Sequence, residues 1–309
     1  MIVVRLQGGL GNQLFQYAFG RSLALRHKTE LKVDVSYYAL RQRPKGLEQF
    51  RRKFMLNAFK VKCKVAGEED LKRTRDRFDI GHVAAKLITI ARKKTPGFTL
   101  GYAQEKMPIY DTRYLKLPDN TYVDGYWQSE KYFINNAEVI RDEMGFVNPA
   151  LEEYAKAYVK KLRASEERVV ALHVRRGDLA FATEKLGNPD LVYGPPTSLE
   201  YVEMAMREFG CRHRFLIFSE SEGDLGWCRD HIQGNRVHYC EGHTDLEDFA
   251  IMRQCDDLII ANSTFSWWAA WLGNSREKKV IAPRIWFNSQ QSSNHRMEDL
   301  IPEKWKMLP

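Results

Sequence analysis

The chain has no closely spaced cysteine pair. Its five cysteines stand at 63, 211, 228, 240 and 255, and no two of them form a C-x-x-C unit. That excludes zinc-ribbon spacing and, with an odd count, a disulfide framework. Reduced cysteines serving as small core residues are expected instead. No apolar run approaches the roughly 20 residues that a membrane-spanning helix needs. Met1 to Leu6 is too short for the apolar stretch of a signal peptide and reads as a first strand. An Asp-x-Asp pair is also absent, and with it a common carboxylate clamp for a metal-bound diphosphate. Internal repeats and low-complexity tracts are missing, and 12% aromatic residues exclude a disordered chain.

What is present suffices for two domains. A chain of 309 residues, 44% of them apolar, can fill two cores, and the expected division is 1–150 and 151–309. The formal charge of +8 is unevenly placed. Residues 41–100 hold 17 Lys/Arg against 6 Asp/Glu, a net +11, so the remaining residues are acidic overall. Such a segment faces nucleic acid, an anionic membrane or water. No nucleic-acid module surrounds it, so nucleic acid is not an expected partner. A basic helical insert is expected there. Val83, Leu87 and Ile90 fall on one stripe of a helix carrying Lys86, Arg92, Lys93 and Lys94, the profile of a helix on a lipid surface or of an ordinary solvent-facing one.

Hydropathy periods sketch the rest. A strand at 1–6, a glycine turn, a helix to about His27 and a strand at Leu31–Val35 open the chain as a β-α-β unit. Thr121–Trp127 is β-prone, and a charged helix from about Ala150 to Arg163 bridges the halves. Strands at 169–174, 214–218, 237–240, 258–261 and 280–282 then alternate with helices at 199–209, 225–232, 246–255 and 265–272. This alternation predicts a parallel sheet with helices on both faces, and ligands of such sheets lie outside the carboxyl ends of the strands.

Three stretches at strand ends carry chemistry. Gly8-Gly9-Leu10-Gly11-Asn12 fails as a dinucleotide fingerprint, because Leu14 stands where the third glycine would. No Lys-Ser/Thr follows, so it is not a P-loop. It is either a backbone cradle at a helix N-terminus or a tight turn with Asn12 as helix cap. His173-Val174-Arg175-Arg176-Gly177-Asp178 puts two guanidinium groups at the end of a buried strand, where they need an anion or a carboxylate. Asp178 can hold one of them; the plainer reading is a structural Arg–Asp pair beside a core His173. Asn262-Ser263-Thr264-Phe265-Ser266-Trp267-Trp268 offers hydroxyls and helix-start N–H groups to a phosphate, or simply caps a helix. Trp268 and Trp271 are expected to pack inward. Asn262-Ser263-Thr264 is also a glycosylation sequon, but a core strand end argues against its use.

With Gln13-Leu14-Phe15-Gln16-Tyr17, Asp124-Gly125-Tyr126-Trp127-Gln128-Ser129-Glu130-Lys131-Tyr132-Phe133 and Ile260-Ala261, these stretches span most of the chain. In that order they resemble the GDP-fucose-dependent fucosyltransferases, most closely the α-1,2-fucosyltransferases of glycosyltransferase family 11. The H-x-R-R-x-D element marks the wider group of α-1,2, α-1,6 and protein O-fucosyltransferases. The first and last stretches together point to the α-1,2 family. The resemblance implies an α/β GT-B architecture, two Rossmann-like parallel-sheet domains facing across a cleft. The acceptor side falls to 1–150 and GDP-fucose binding to 151–309. His173 would lie against the guanine, and Arg175 on the diphosphate with Arg176 and Asp178 in support. Asp248 would accept from guanine N1–H and N2–H, two adjacent donors that suit a carboxylate. Ser263, Thr264 and Phe265 would touch phosphates or base, with Asn262, Gly9, Gly11 and Asn12 also on the donor. Gln13, Tyr126, Trp127 and Gln128 would lie on the acceptor side.

The implied reaction moves L-fucose from GDP-β-L-fucose, with inversion, to the 2-OH of a terminal β-galactoside in an oligosaccharide or lipid-linked glycan. Negative charge grows on the departing diphosphate, and arginines and helix starts are expected to neutralise it. No cofactor and no metal are therefore expected. Arg175 would face that charge as a surface group, so that Arg175→Ala abolishes transfer and spares the fold. Asp178 and Glu184 are the candidates for the general base. The expected location is cytoplasmic, peripheral on the inner face of an anionic membrane. Other readings are a fucosyltransferase of another linkage or acceptor (α-1,6 or protein O-linked), or a non-catalytic nucleotide- or glycan-binding protein.

Overall fold

The computed structural model describes residues 1–39, 52–76, 98–99, 101–105, 109–163, 167–177, 195–274, 277–287 and 297–309. The helix expected around 83–94, and both Asp178 and Glu184, lie outside the described residues. The chain divides into two compact units, Met1–Val147 and Asn148–Pro309.

The first unit is built on Ile2, Val3 and Val4, which are fully buried in strand β1 (Ile2–Arg5). Around it lie β2 (Leu31–Asp34), β3 (Lys64–Val65), β4 (Phe98–Thr99), β5 (Tyr102–Gln104) and β6 (Thr121–Asp124). The sheet order is β3-β2-β1-β6-β5-β4. Every neighbouring pair is parallel except β4 with β5. Helix α1 (Leu10–His27) connects β1 to β2. A glycine lets it come close to the sheet: a Cβ on Gly20 would stand 2.1 Å from Val4 Cγ2. Helix α2 (Ala137–Glu143) ends on α1, where Glu143 accepts from Tyr17 Oη at 2.5 Å and from the Arg21 guanidinium at 2.7–3.0 Å.

The second unit opens with α3 (Pro149–Leu162), capped by Asn148 with proline at its first position. Its strands are β7 (Arg168–Val174), β8 (His213–Ser219), β9 (Val237–Tyr239), β10 (Asp257–Ile259), β11 (Val280–Pro283) and β12 (Lys306–Leu308). They are parallel throughout, in the order β12-β11-β10-β7-β8-β9. Between them run α4 (Leu199–Arg207), α5 (Glu222–His231), α6 (Asp245–Gln254) and α7 (Thr264–Leu272). Ser198, Ser221 and Thr244 cap the first three with their hydroxyls. Val169 to Val174 are all buried, as a central strand covered on both faces requires. Trp268 and Trp271 are buried as well.

The fold is thus α/β with two parallel-sheet domains, the make-up of the GT-B class. The second sheet reverses its strand order once, between β7 and β10, whereas in the first β1 and β6 are neighbours through a crossover. Such reversal points open a crevice at the carboxyl ends of the strands, where open α/β sheets bind ligands. Among the described residues no helix is long and apolar enough to cross a membrane. Cys228, Cys240 and Cys255 are buried, whereas Cys63 is half-buried and Cys211 exposed, which corrects the expectation of five core cysteines.

Candidate functional site

The second unit's reversal point brings two of the three stretches together. Strand β7 delivers Arg175 to the crevice, and the loop after β10 delivers Asn262. Arg175 Nη1 donates to the Asn262 carbonyl at 3.0 Å, and Nε lies 3.4 Å from Glu220. Its backbone N–H donates to Thr197 Oγ1 at 3.0 Å. Arg175 is only 7% exposed, so it is an internal tie between two strand ends and not a surface group. The expectation that its removal would spare the fold is corrected accordingly.

Arg176 lies over the Trp227 ring at 4.3 Å and donates from Nη1 to the Thr197 carbonyl at 3.0 Å. The backbone N–H groups of Arg176 and Gly177 both donate to Asp224 Oδ2, at 3.1 and 2.8 Å. Asp224, from the first turn of α5, thus shapes the backbone after β7. Sequence reading missed it, along with Thr197 and Glu220. One signal was available: Ser221-x-x-Asp224 has capping-box spacing at the start of a helix. Ser221 does cap α5, but the Asp224 carboxylate turns to the neighbouring loop.

His173 is buried, and its Nδ1 lies 2.9 Å from Ser266 Oγ, which in turn donates to the Ser263 carbonyl at 3.2 Å. Burial, aided by the Arg175 charge, pushes the imidazole down to about 3, so it stays neutral at physiological pH. Its ring is 6.0 Å from that of Phe265, which meets Phe249 edge-on at 5.2 Å. Asn262 is buried and donates from Nδ2 to the Pro195 carbonyl at 3.1 Å, a position closed to glycosylation. Its Oδ1 is buried with no hydrogen-bond donor. Ser263 precedes α7 but its hydroxyl makes no capping bond, and no acidic residue occupies the first turn. Plain capping therefore does not explain the Ser263 hydroxyl. The start of an α-helix carries partial positive charge, which favours an anion there. Asp248 sits in the first turn of α6, beside Phe249. Burial pushes its carboxyl up to about 7, and the Cys240 thiol donates to it at 3.4 Å.

In the first unit the adjacent carboxyl ends of the parallel strands β1 and β6 bring together the glycine turn and the loop after β6. Gly8 has φ +79°, and a Cβ there would stand 2.5 Å from Asn12 Nδ2. Gly9 is the N-cap of α1 and Gly11 is buried in its first turn. Asn12 does not cap; its Oδ1 accepts from Gln128 Nε2 at 2.9 Å. Gln13 is wholly buried, donating to the Gly8 and Lys53 carbonyls at 3.3 and 2.7 Å and accepting from Met55 N–H at 2.9 Å. Trp127 is wholly buried too, stacked on Phe19 with ring centroids 4.2 Å apart. The side chains of Gln13 and Trp127 thus hold the loops of this end of the sheet in place. Tyr126 is exposed. Glu105 fixes this turn by accepting the N–H groups of Tyr126 at 2.6 Å and Trp127 at 3.1 Å, and burial pushes its carboxyl up to about 7.

Two parallel-sheet units, one with the buried Arg175 guanidinium tied to the loop before α7 at its reversal point, define an α/β protein of the GT-B class. The model of glycosyl transferase family 11 matches residues 1–308, and the chain belongs to that family. It is a glycosyltransferase. An alpha-1,2-colitosyltransferase of Escherichia coli is 28% identical over 312 residues, covering 99% of this chain and 98% of that one. The O-antigen biosynthesis glycosyltransferase WbnK of Escherichia coli is 25% identical over 318 residues, covering 96% and 98%. The galactoside alpha-(1,2)-fucosyltransferase 2 of Sus scrofa is 29% identical over 171 residues, covering 52% of this chain and 48% of that one.

Proposed function

We propose that the protein is an inverting α-1,2-glycosyltransferase that moves L-fucose from GDP-β-L-fucose to the 2-OH of a terminal β-galactoside. The observation that carries the reading is Arg175, held between the ends of β7 and β10 beside the uncapped start of α7. A diphosphate seated there meets guanidinium and amide donors aimed where charge grows as the sugar C1–O bond breaks. Asp248 accepts from guanine N1–H and N2–H, and Phe265 and neutral His173 line the base. The acceptor hydroxyl attacks C1 from the face opposite the leaving GDP, so a β-linked donor gives an α-linked product. Its proton passes to a general base, for which Asp178 and Glu184 are the candidates. This charge balance needs no metal, so transfer is expected to persist in EDTA.

A second donor is favoured by one observation, the near full-length match to a colitosyltransferase. Colitose is L-fucose without its 3-hydroxyl. A site that hydrogen-bonds that hydroxyl discriminates strongly against the deoxy sugar, whereas an apolar contact does not. The full-length match to an O-antigen glycosyltransferase favours a surface-polysaccharide acceptor, soluble or lipid-linked. The test is a donor screen with lactose as acceptor: GDP-fucose, GDP-colitose, GDP-mannose and UDP-galactose, followed by nucleotide release and linkage analysis. GDP-fucose is expected to turn over and yield an α-1,2 product. Turnover of GDP-colitose alone gives the second reading, and nucleotide binding without transfer to any acceptor overturns both.

A further inference from the structure

Three metal-ligating side chains converge beyond the carboxyl end of β9. Cys240 follows the strand, His243 lies in the next turn, and Asp248 comes from α6. Cys240 Sγ is 3.4 Å from both His243 Nδ1 and Asp248 Oδ1, and those two atoms are 3.7 Å apart. Tetrahedral zinc, with bonds of about 2.3 Å to sulfur and about 2.0–2.2 Å to nitrogen or oxygen, holds its ligand atoms roughly 3.3–3.6 Å apart. The three atoms already stand close to that geometry. It is the one such group of three among the described residues.

The surroundings also suit a metal. His243 Nε2 lies 2.8 Å from Tyr154 Oη, and the Tyr158 ring meets the imidazole edge-on at 5.1 Å. Both tyrosines come from α3. An imidazole that gives its Nε2–H to a phenol oxygen presents its Nδ1 lone pair to the cluster, which is how histidine ligands are oriented. Cys240 and His243 are nearly closed to water, while the Asp248 side chain keeps 21% exposure and leaves an open side for a fourth ligand. One thiolate, one imidazole and one carboxylate select a borderline cation such as zinc over magnesium or calcium.

We propose that Cys240, His243 and Asp248 bind a zinc-type divalent cation, and that this cation and the guanine base compete for Asp248. The first half stands on the cluster alone; the second rests on the role given to Asp248 above. Without metal, the Cys240 S–H donates to Asp248. On binding, the cation bonds to the thiolate, the thiol proton passes to solvent, and no electrons change hands. Occupation withdraws the carboxylate from the base and slows transfer.

The test is a Co²⁺ titration of the full-length, metal-free protein followed by absorption. Wild type is expected to develop a thiolate-to-cobalt charge-transfer band and the d–d bands of a tetrahedral ion, saturating at one ion per chain. Cys240→Ser and His243→Gln are expected to lose the charge-transfer band while keeping wild-type melting temperature and transfer in EDTA. A wild type without the band, or a Cys240→Ser protein that keeps it, overturns the site. Saturating GDP is expected to raise the half-saturating Co²⁺ concentration about tenfold, and Zn²⁺ to inhibit wild type but not Cys240→Ser. An unchanged half-saturation overturns the competition, provided calorimetry in EDTA shows that GDP binds. If GDP does not bind at all, the donor reading is what fails.

Discussion

The charge on Arg175 is fixed before any ligand arrives, by the Asn262 carbonyl at 3.0 Å and by Glu220 at 3.4 Å. Truncation to alanine removes the donor from the buried Asn262 carbonyl, and a buried group left unsatisfied costs about 1–3 kcal/mol. Lost activity in Arg175→Ala would therefore mix folding with chemistry. Arg175→Lys separates them, because lysine keeps the charge but not the planar fork. It is expected to melt within a few degrees of wild type and to transfer about 10²–10³-fold more slowly, the cost of removing one preorganised donor. Thermal melts and initial rates check this; a rate within threefold of wild type would remove the diphosphate role. Asp224 poses a related question, since its Oδ2 receives two backbone N–H groups. If it serves as an acceptor, Asp224→Asn keeps both bonds and retains near-normal rates. Asp224→Ala leaves two orphaned donors, with a lower melting temperature and at least about a tenfold loss of kcat. Equal rates in the two variants would contradict this role.

At the scale of elements, the turn after β6 is held by one carboxylate. Glu105 accepts from Tyr126 and Trp127 N–H, and Trp127 sits at φ +55°, a strained value for a tryptophan. Burial raises the Glu105 carboxyl from 4.5 to about 7. In the pH range between those values the unfolded chain has released its proton while the folded chain keeps it. Stability is thus greatest below the lower value, falls as pH rises, and levels off above the upper one. Glu105→Gln cannot ionise and still offers an oxygen to the turn. Its melting temperature is expected to gain on wild type steadily from about pH 5 to about pH 8; parallel curves across that range would rule the effect out. The parallel sheet of the second unit was legible because β7 and β8 are seven-residue elements whose apolar runs are continuous, as strands covered on both faces require. Lys64–Val65 and Lys306–Leu308 were not, because strands of two or three partly exposed residues carry no period. The strand-end stretches were legible as chemistry, but the direction of each side chain was not. Gln13 and Trp127 are residue types that suit a sugar platform or a polar core equally. The partner of the Arg176–Gly177 backbone is Asp224, which is distant in sequence and carries no local signal for that contact.

Over the whole molecule, charge is separated more sharply than the net +8 suggests. Residues 41–100 carry +11, so the rest of the chain is acidic overall. A negatively charged surface would attract the basic segment. A basic residue near an anionic bilayer contributes about 1 kcal/mol, and a handful engaged together suffices for peripheral attachment. A lipid-linked acceptor would give that attachment a use. Because the attraction is electrostatic, it extends over a Debye length of only about 10 Å at 0.1 M salt and shrinks as salt rises. Vesicles containing phosphatidylglycerol are expected to co-sediment the protein at low salt and to release it at about 0.5 M salt. Pure phosphatidylcholine vesicles should leave it in the supernatant at either salt. Replacing Lys86, Arg92, Lys93 and Lys94 together with glutamine should weaken the anionic binding without slowing transfer to soluble lactose. Binding that ignores salt, or that is equal on the two kinds of vesicle, would mean that the basic segment serves solvent and not a membrane.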